Sequence, residues 1–309
     1  MTRLTQPGQV YRVLGLGCGQ AHGSAEILLK AALKAAGDEG AEARLVRLDE
    51  LRLPSGAAEA AEPDDAWWLW EQLAECDGLI VSTPIMSRTV AARLKLLGGR
   101  LLGPNADAAI IEGLLALRAQ GQEPAVPFRV DERVLKPRVA GFLAVGGSLT
   151  PQWKALALPM MHATAFSMHI AVVDQVQFGG AGTPRSIVLD DGAVERAAAL
   201  GRNVASQLGV AFDEARYLGP PGLCPMCHLD VVVLRGADVE CATCGAQGQL
   251  APDLQVTWTN LATSVISMDE KRAHAAEIQE TAGRHAQVRA EIDRRARAFE
   301  AYDPAVRPA

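Results

Sequence analysis

Four cysteines, Cys224, Cys227, Cys241 and Cys244, stand as two C-x-x-C pairs separated by the short segment HLDVVVLRGADVE. Thiolates at this spacing are metal ligands. Each pair can form a knuckle that presents two sulfurs, and a hairpin between the pairs brings the knuckles together around one tetrahedral ion. The chemistry favours Zn(II), with a rubredoxin-like iron site and redox-active cysteine pairs as the other readings of the same spacing. His228 follows Cys227 directly, but a four-sulfur site needs no fifth ligand, so a surface or supporting role is expected of it. Cys18 and Cys76 stand apart from this group. Cys18 has no base partner in view and reads as a small buried loop residue rather than a nucleophile.

A second kind of chemistry is carried by glycines. Gly17, Gly19 and Gly23 precede Ser24 at the start of a helical pattern, and the intervening Gln20 and His22 are polar. A loop and helix start at the carboxyl end of a parallel strand concentrates backbone N–H groups on a phosphate, and the nearby crevice can receive a ring system. Gly146, Gly147 and Ser148 end a later apolar run in the same manner, and Thr83, Pro84, Ile85, Met86, Ser87 and Arg88 follow another. Arg88 can meet a carboxylate or phosphate or simply face water. Trp153 reads as a lid element or a core anchor. His162 and His169 lie in apolar sequence and are expected to be packed, structural histidines.

These loops need a scaffold, and the pattern around them supplies one. YRVLGLG (11–17), AEARLVRL (41–48), DGLIVSTP (77–84), RVAGFLAVGG (138–147) and SMHIAVVD (167–174) read as strands. Helical patterns separate them: SAEILLKAALKAAGDEG, which Ser24 can cap, then WWLWEQLAEC, and parts of PQWKALALPMMHATA. DGAVERAAALGRNVASQLG (191–209) reads as a covering helix despite Gly201, whose interior position costs about 1 kcal/mol relative to alanine. Alternation of this kind predicts an α/β fold, a doubly wound parallel sheet covered on both faces. Residues 105–137 read as an insertion containing a helix over Ala108 to Ala119. Beyond the cysteine segment, QVTWTNLATSV (255–265) reads as a short strand and connection. A long charged helix follows, interrupted near Gly283.

The chain has 309 residues, 49% hydrophobic and 21% charged, which excludes intrinsic disorder. A net charge of -6 offers no bulk attraction to nucleic acid or anionic lipid, and without a basic recognition helix no nucleic-acid partner is expected. No apolar run suits a membrane span and no secretory signal opens the chain, so the sequence predicts no membrane association and a cytoplasmic location.

Three regions, GCGQAHGSAEILLKAAL, DGLIVSTPIMSRTVAARLKLLGGR and AGFLAVGGSLTPQWKALAL, resemble in their order and spacing the NADPH-dependent FMN reductase family of flavodoxin-like proteins. The resemblance covers roughly residues 11–210. It implies that the first loop (Gly17, Cys18, Gln20, His22, Gly23, Ser24) holds the FMN phosphate. It implies further that Thr83, Pro84, Ile85 and Met86 approach the isoalloxazine and ribityl group, and that Gly146, Gly147 and Ser148 close around the flavin edge. Ser87, Arg88 and Ser148 are the candidates for positioning a substrate during hydride exchange, where the cofactor carries the redox chemistry. The implied function is an FMN-dependent NAD(P)H oxidoreductase that reduces a quinone-like, aromatic or other small organic acceptor, and the family points to a homo-oligomer.

This sequence departs from the family at the phosphate loop. A Ser-Pro-Arg-like start and an Asn-Thr pair are common there, whereas the matching positions are Cys18, Gly19, Gln20, Ser24 and Ala25. Met86 replaces a common aromatic beside the ring, and aromatics make up only 5% of the chain. The alternative that follows is a non-catalytic flavodoxin-like binding or assembly protein that has lost FMN. The cysteine segment in turn looks like a zinc ribbon. The expected organisation is a flavodoxin-like FMN-binding domain over 1–212, a zinc-ribbon module over 213–257 and a helical extension over 258–309.

Overall fold

A computed structural model of the chain describes residues 10–53, 64–122, 129–300, 302 and 304–306; residues 123–128 of the expected insertion lie outside this set. Five strands form one parallel sheet: β1 (Arg12–Gly17), β2 (Glu42–Arg47), β3 (Gly78–Pro84), β4 (Val139–Val145) and β5 (Ala171–Phe178). Their spatial order is β2-β1-β3-β4-β5, the flavodoxin-like arrangement. Every residue of β4 is buried, as a central strand covered on both faces requires. The fifth strand begins later than SMHIAVVD suggests. Ser167 to His169 form the turn before it, and His169 adopts a left-handed φ of 50°.

One face of the sheet is covered by α1 (Ser24–Asp38) and α6 (Asp191–Ser206), through Leu28, Leu29, Ala32, Leu200 and Val204. The other face carries α2 (Ala66–Glu75), α3 (Ala92–Leu101) and α5 (Ala157–His162), through Leu69, Trp70, Leu94, Leu97 and Met161. Gly201 has a packing reason. A Cβ at that position would lie 2.0 Å from the Ala32 carbonyl oxygen, so the close crossing of α1 and α6 requires glycine.

Between α3 and β4 lies α4 (Ala108–Ala119), over the expected residues and capped by Asp107, whose side chain accepts from the amides of Ala109 and Ile110. The segment entering β4 is anchored by Arg138, which is 1% exposed. Its guanidinium donates to the carbonyls of Ala74, Cys76, Arg133, Val134 and Lys136 at 2.6 to 3.2 Å. A buried charge needs such saturation with acceptors to be tolerated.

The cysteine region forms a separate antiparallel sheet of four strands in sequential order: β6 (Val232–Arg235), β7 (Asp238–Cys241), β8 (Gln247–Leu250) and β9 (Val256–Asn260). The tail folds as α7 (Met268–Gln287) and α8 (Arg289–Glu300), with the break at Val288 rather than Gly283. α7 packs on α4, where Arg272 makes a bidentate pair with Glu112 at 2.8 and 3.0 Å. Among the described residues no helix is long and apolar enough to cross a membrane.

Candidate functional site

The three glycine-bearing loops all leave the carboxyl edge of the parallel sheet. After β1 the Cys18 amide donates to Ser82 O at 2.9 Å, holding the first loop against β3. Gly19 has a φ of 108°, and a Cβ there would meet the Pro84 ring at 2.9 Å, so the first two loops touch where only glycine fits. His22 is also left-handed, at φ 60°, and is exposed. The chain then turns through a bond from Gly23 N to Gln20 O at 3.0 Å.

Gly23, not Ser24, is the N-cap of α1, and no side chain caps that helix. The hydroxyl of Ser24 is buried and has no hydrogen-bond partner in the described protein. The first-turn amides of α1 are therefore free of side-chain acceptors beside an unsatisfied hydroxyl, an arrangement that fits a phosphate. Glu26 lies in the same turn and is buried, but Arg47 grips it at 2.7 and 3.0 Å and Lys30 lies 2.6 Å away. Hydrogen bonding from Arg47, above all, pulls its carboxyl down to about 2, so it stays ionised. Arg47 also reaches Glu50 at 3.3 Å, so two cations meet two carboxylates here. Arg47 at the end of β2 and Lys30 of α1 thus offset Glu26 and Glu50 beside the first loop. Sequence reading missed the Arg47 contact, because it depends on the pairing of β1 with β2, whereas Glu26 and Lys30 stand four residues apart on one helix. Cys18 is buried with its thiol pushed well above the ordinary range by desolvation, which removes it as a nucleophile.

In the second loop, Thr83 accepts from the Ala91 amide at 3.0 Å, and the Ile85 amide donates to Val145 O at 2.8 Å. Met86 and Thr89 exchange backbone bonds at 2.8 and 3.0 Å across Ser87 and Arg88, which have φ values of 48° and 74°. Two consecutive left-handed residues between a bonded pair make a type I′ hairpin, which neither serine nor arginine favours. Such strain is held by its surroundings. Here Arg88 Nε donates to Gln152 O at 2.8 Å, fastening the hairpin tip to the third loop. The third loop runs past Gly146, whose amide donates to Phe178 O at 3.1 Å. The Ser148 hydroxyl takes up the Thr150 amide at 3.2 Å and lies 3.1 Å from the Thr150 hydroxyl. Trp153 is 56% exposed and so is no core anchor.

A fourth segment joins this edge. Gly179 to Gly182 follow β5, and the Ala181 amide donates to Gly146 O at 3.1 Å. The GGAG run was the available signal for it. Ser87, Arg88 and Ser148 are therefore gathered at one edge with Gly17, Gly23, Ser24 and the other loop residues. His162 and His169 are not among them.

The cysteine cluster has a different geometry. The four sulfurs lie within 4.8 Å of one another, with Cys224 to Cys244 at 3.6 Å and Cys227 to Cys241 at 3.4 Å. Tetrahedral zinc with bonds of ~2.3 Å places sulfurs roughly 3.8 Å apart, so the cluster fits a metal of this kind. The two knuckles repeat each other. His228 N donates to Cys224 O and Gly245 N to Cys241 O, both at 2.8 Å, and both donors are left-handed, with φ of 57° and 78°. His228 thus fills a turn position where the other knuckle uses glycine, and its ring stacks on Tyr217 with centroids 3.7 Å apart. It is not a ligand.

Comparison with known proteins agrees with this geometry. The NADPH-dependent FMN reductase family matches residues 11–102. Flavone synthase cfoJ of Aspergillus candidus is 36% identical over 258 residues, which is 77% of this chain and 78% of that protein. Among solved structures, one described as a flavone reductase superimposes with a TM-score of 0.80 at 25% identity, covering 96% of this chain and 100% of its own. A relative this similar over most of both chains, the matched first two loops and the sheet order all converge: the chain belongs to the NADPH-dependent FMN reductase family, and carries a C-terminal four-cysteine module with it.

Proposed function

We propose that this FMN-dependent NAD(P)H oxidoreductase acts on the conjugated carbon–carbon double bond of a flavone-like acceptor. Its family makes it a flavin enzyme for small organic acceptors, and the finer substrate class is drawn from the relatives. The observation that carries the reading is that two relatives which each cover more than three quarters of this chain are both named for flavones. A flavone presents an α,β-unsaturated ketone, which accepts a hydride at the β carbon and a proton at the α carbon.

Bound FMN would supply the hydride transfer, with NAD(P)H as donor. The chain's own groups hold and orient. In this reading Ser24 and the first-turn amides of α1 receive the phosphate, with Arg47 and Lys30 balancing Glu26 behind them. Pro84, Ile85 and Met86 would flank the ring, and Gly146, Gly147 and Ser148 would border its edge. With Nε spent on Gln152, Arg88 keeps its terminal N–H groups for an acceptor carbonyl or a nicotinamide phosphate. Ser87 stands beside it at the hairpin tip. Met86, Leu149 and Trp153 are 58%, 79% and 56% exposed next to these loops, apolar surface that suits both a planar acceptor and a homo-oligomeric contact. We assign Zn(II) to Cys224, Cys227, Cys241 and Cys244 as a structural ion, because all four positions are filled by protein sulfur and leave none open for chemistry.

The test is anaerobic. Purified protein reconstituted with FMN is bleached with NADPH or NADH and mixed with flavone or with menadione. Reoxidation by flavone, with a product two hydrogens heavier by mass spectrometry, is the expected result. Reoxidation by menadione alone would replace the flavone reading with a quinone reductase, and failure to retain any FMN would return the chain to a binding or assembly role.

A further inference from the structure

A cavity of about 330 Å³ lies away from the loops described above, between the start of β5 and the cysteine module. Ile170, Ala171 and Val172 form part of its wall, and Ala171 pairs with Val139 at the start of β4, whereas Phe178 pairs with Val145 at its end. The flavin loops follow the strand ends. Cavity and loops are therefore separated by the length of β5, about 23 Å at ~3.3 Å per residue. The cavity is not the place where an acceptor could meet the flavin.

Its polar equipment is unusual for a packing defect. His162 of α5 forms part of the wall and is 1% exposed. Its Nε2 lies 2.8 Å from Gln175 Oε1, while Gln175 Nε2 donates to the Cys227 carbonyl at 2.7 Å. A carbonyl only accepts, which fixes the orientation of the amide and with it the tautomer of the ring. Nε2 must carry the proton, and Nδ1 is left a bare acceptor. No group in the described protein donates to it.

Lys271 of α7 lines the same cavity and is 7% exposed. Its ammonium donates to Val265 O at 2.6 Å and Ile266 O at 2.8 Å, which accounts for two of its three N–H groups. No carboxylate among the described residues forms an ion pair with it, and Asp107 acts on it only through space. Asp213, the carboxylate on the wall, is exposed. The remaining wall combines aliphatic residues such as Ile170, Met226 and Ile266 with five rings: Phe166, the stacked pair His169 and Phe212, and the stacked pair Tyr217 and His228, with ring centroids 3.7 Å apart in each pair. A buried acceptor lacking a donor, a buried cation with no carboxylate in bonding distance and walls of rings and aliphatic groups define one complementary chemistry.

We propose that this cavity is a second, non-catalytic binding site for a hydroxylated aromatic carboxylate, whose hydroxyl donates to His162 Nδ1 and whose carboxylate takes the free N–H of Lys271. Because its walls come from the parallel sheet, the cysteine module and α7 together, an occupant would join all three. The site does not depend on which acceptor the flavin reduces.

The experiment is equilibrium dialysis of the FMN- and metal-loaded full chain with 4-hydroxycinnamate. One equivalent should bind per chain, and saturating flavone or NADP+ should leave it in place. 4-Methoxycinnamate, which lacks the donor, and 4-hydroxycinnamyl alcohol, which lacks the charge, should each bind at least tenfold more weakly. Lys271→Met should lose tenfold for the acid and little for the alcohol. Absence of binding at millimolar concentration, displacement by flavone, or equal affinity for the methyl ether would each overturn the proposal. The ligand series decides the matter even if the lysine variant folds poorly, and a chain that failed to reduce flavone would leave the expected binding unchanged.

Discussion

The cysteine cluster and the loop cradle are built from opposite materials. In the cluster, four side chains of one type converge within 4.8 Å, and the backbone serves only to turn two knuckles of the same form. In the cradle the surface on offer is the backbone itself: helix-start amides, a glycine at φ 108° and loops tied to one another by main-chain bonds. The difference governs how each tolerates change. A side-chain site fails when a ligand is lost, whereas a backbone site admits many side chains provided that the path of the chain is kept. That is how a first loop lacking the family's usual arginine can retain its shape, held by main-chain bonds and close glycine packing rather than by a charged side chain.

The largest effect should therefore come from removing a sulfur. Structural zinc contributes about 10–16 kcal/mol of apparent binding energy at pH 7 in small modules, and strands β6 to β9 bury little apolar surface beyond Val239 and Cys241. Cys241→Ala, or exhaustive chelation, is expected to reduce bound metal from one equivalent to none. Hydrogen exchange should then accelerate across β6 to β9 while the peptides of β1, β3 and β4 stay protected. Equal loss of protection in the parallel sheet would show that the two regions fold as one unit, and so break the contrast drawn above.

The same contrast explains what could be read without coordinates. Two C-x-x-C pairs announce their chemistry because residue type and spacing are the site. The strands were legible for a related reason: VLGLG and VAGFLAV are apolar throughout and GLIVSTP is so up to Ser82, as strands covered on both faces require. The cradle was legible only as an order of three loops. Its charge balance was hidden, because Arg47 reaches Glu26 across a strand pairing that no local pattern encodes. Gly201 read as a cost until the Ala32 carbonyl appeared against it. The acceptor nitrogen of His162 was beyond reach too, since its tautomer is set by Gln175 and a carbonyl of the cysteine module.

A backbone site should be broken by a single methyl group in the right place. Gly19→Ala forces a side chain onto a φ of 108° and sets its Cβ 2.9 Å from Pro84. Strained backbone of this kind costs about 1–3 kcal/mol, so FMN affinity should fall roughly 5- to 150-fold, with bound metal unchanged. Fluorescence titration of the apoprotein with FMN measures it. Affinity within twofold of the parent would mean that the first loop does not touch the cofactor.

The smallest effect asks whether a side chain in the cradle acts on the substrate or on the loops. Arg88 carries both possibilities, since its Nε is bonded to Gln152 O while its terminal nitrogens are free of any such partner in the third loop. Removing that bond by Arg88→Met should cost about 1 kcal/mol, the net worth of one hydrogen bond, with more if the donor is charged. If Arg88 is chiefly a staple, the strained Ser87–Arg88 turn relaxes and FMN affinity drops about fivefold, while KM for NADPH and for the acceptor is little changed. Arg88→Lys would not rescue this, because an ammonium cannot reproduce the fixed direction of the guanidinium N–H. If Arg88 instead binds an anionic or carbonyl group of a substrate, KM rises, FMN affinity stays constant and lysine restores much of the loss. The geometry favours the staple, and the ratio of the two changes, measured on one pair of variants, decides how far the backbone description of the cradle extends to its rim.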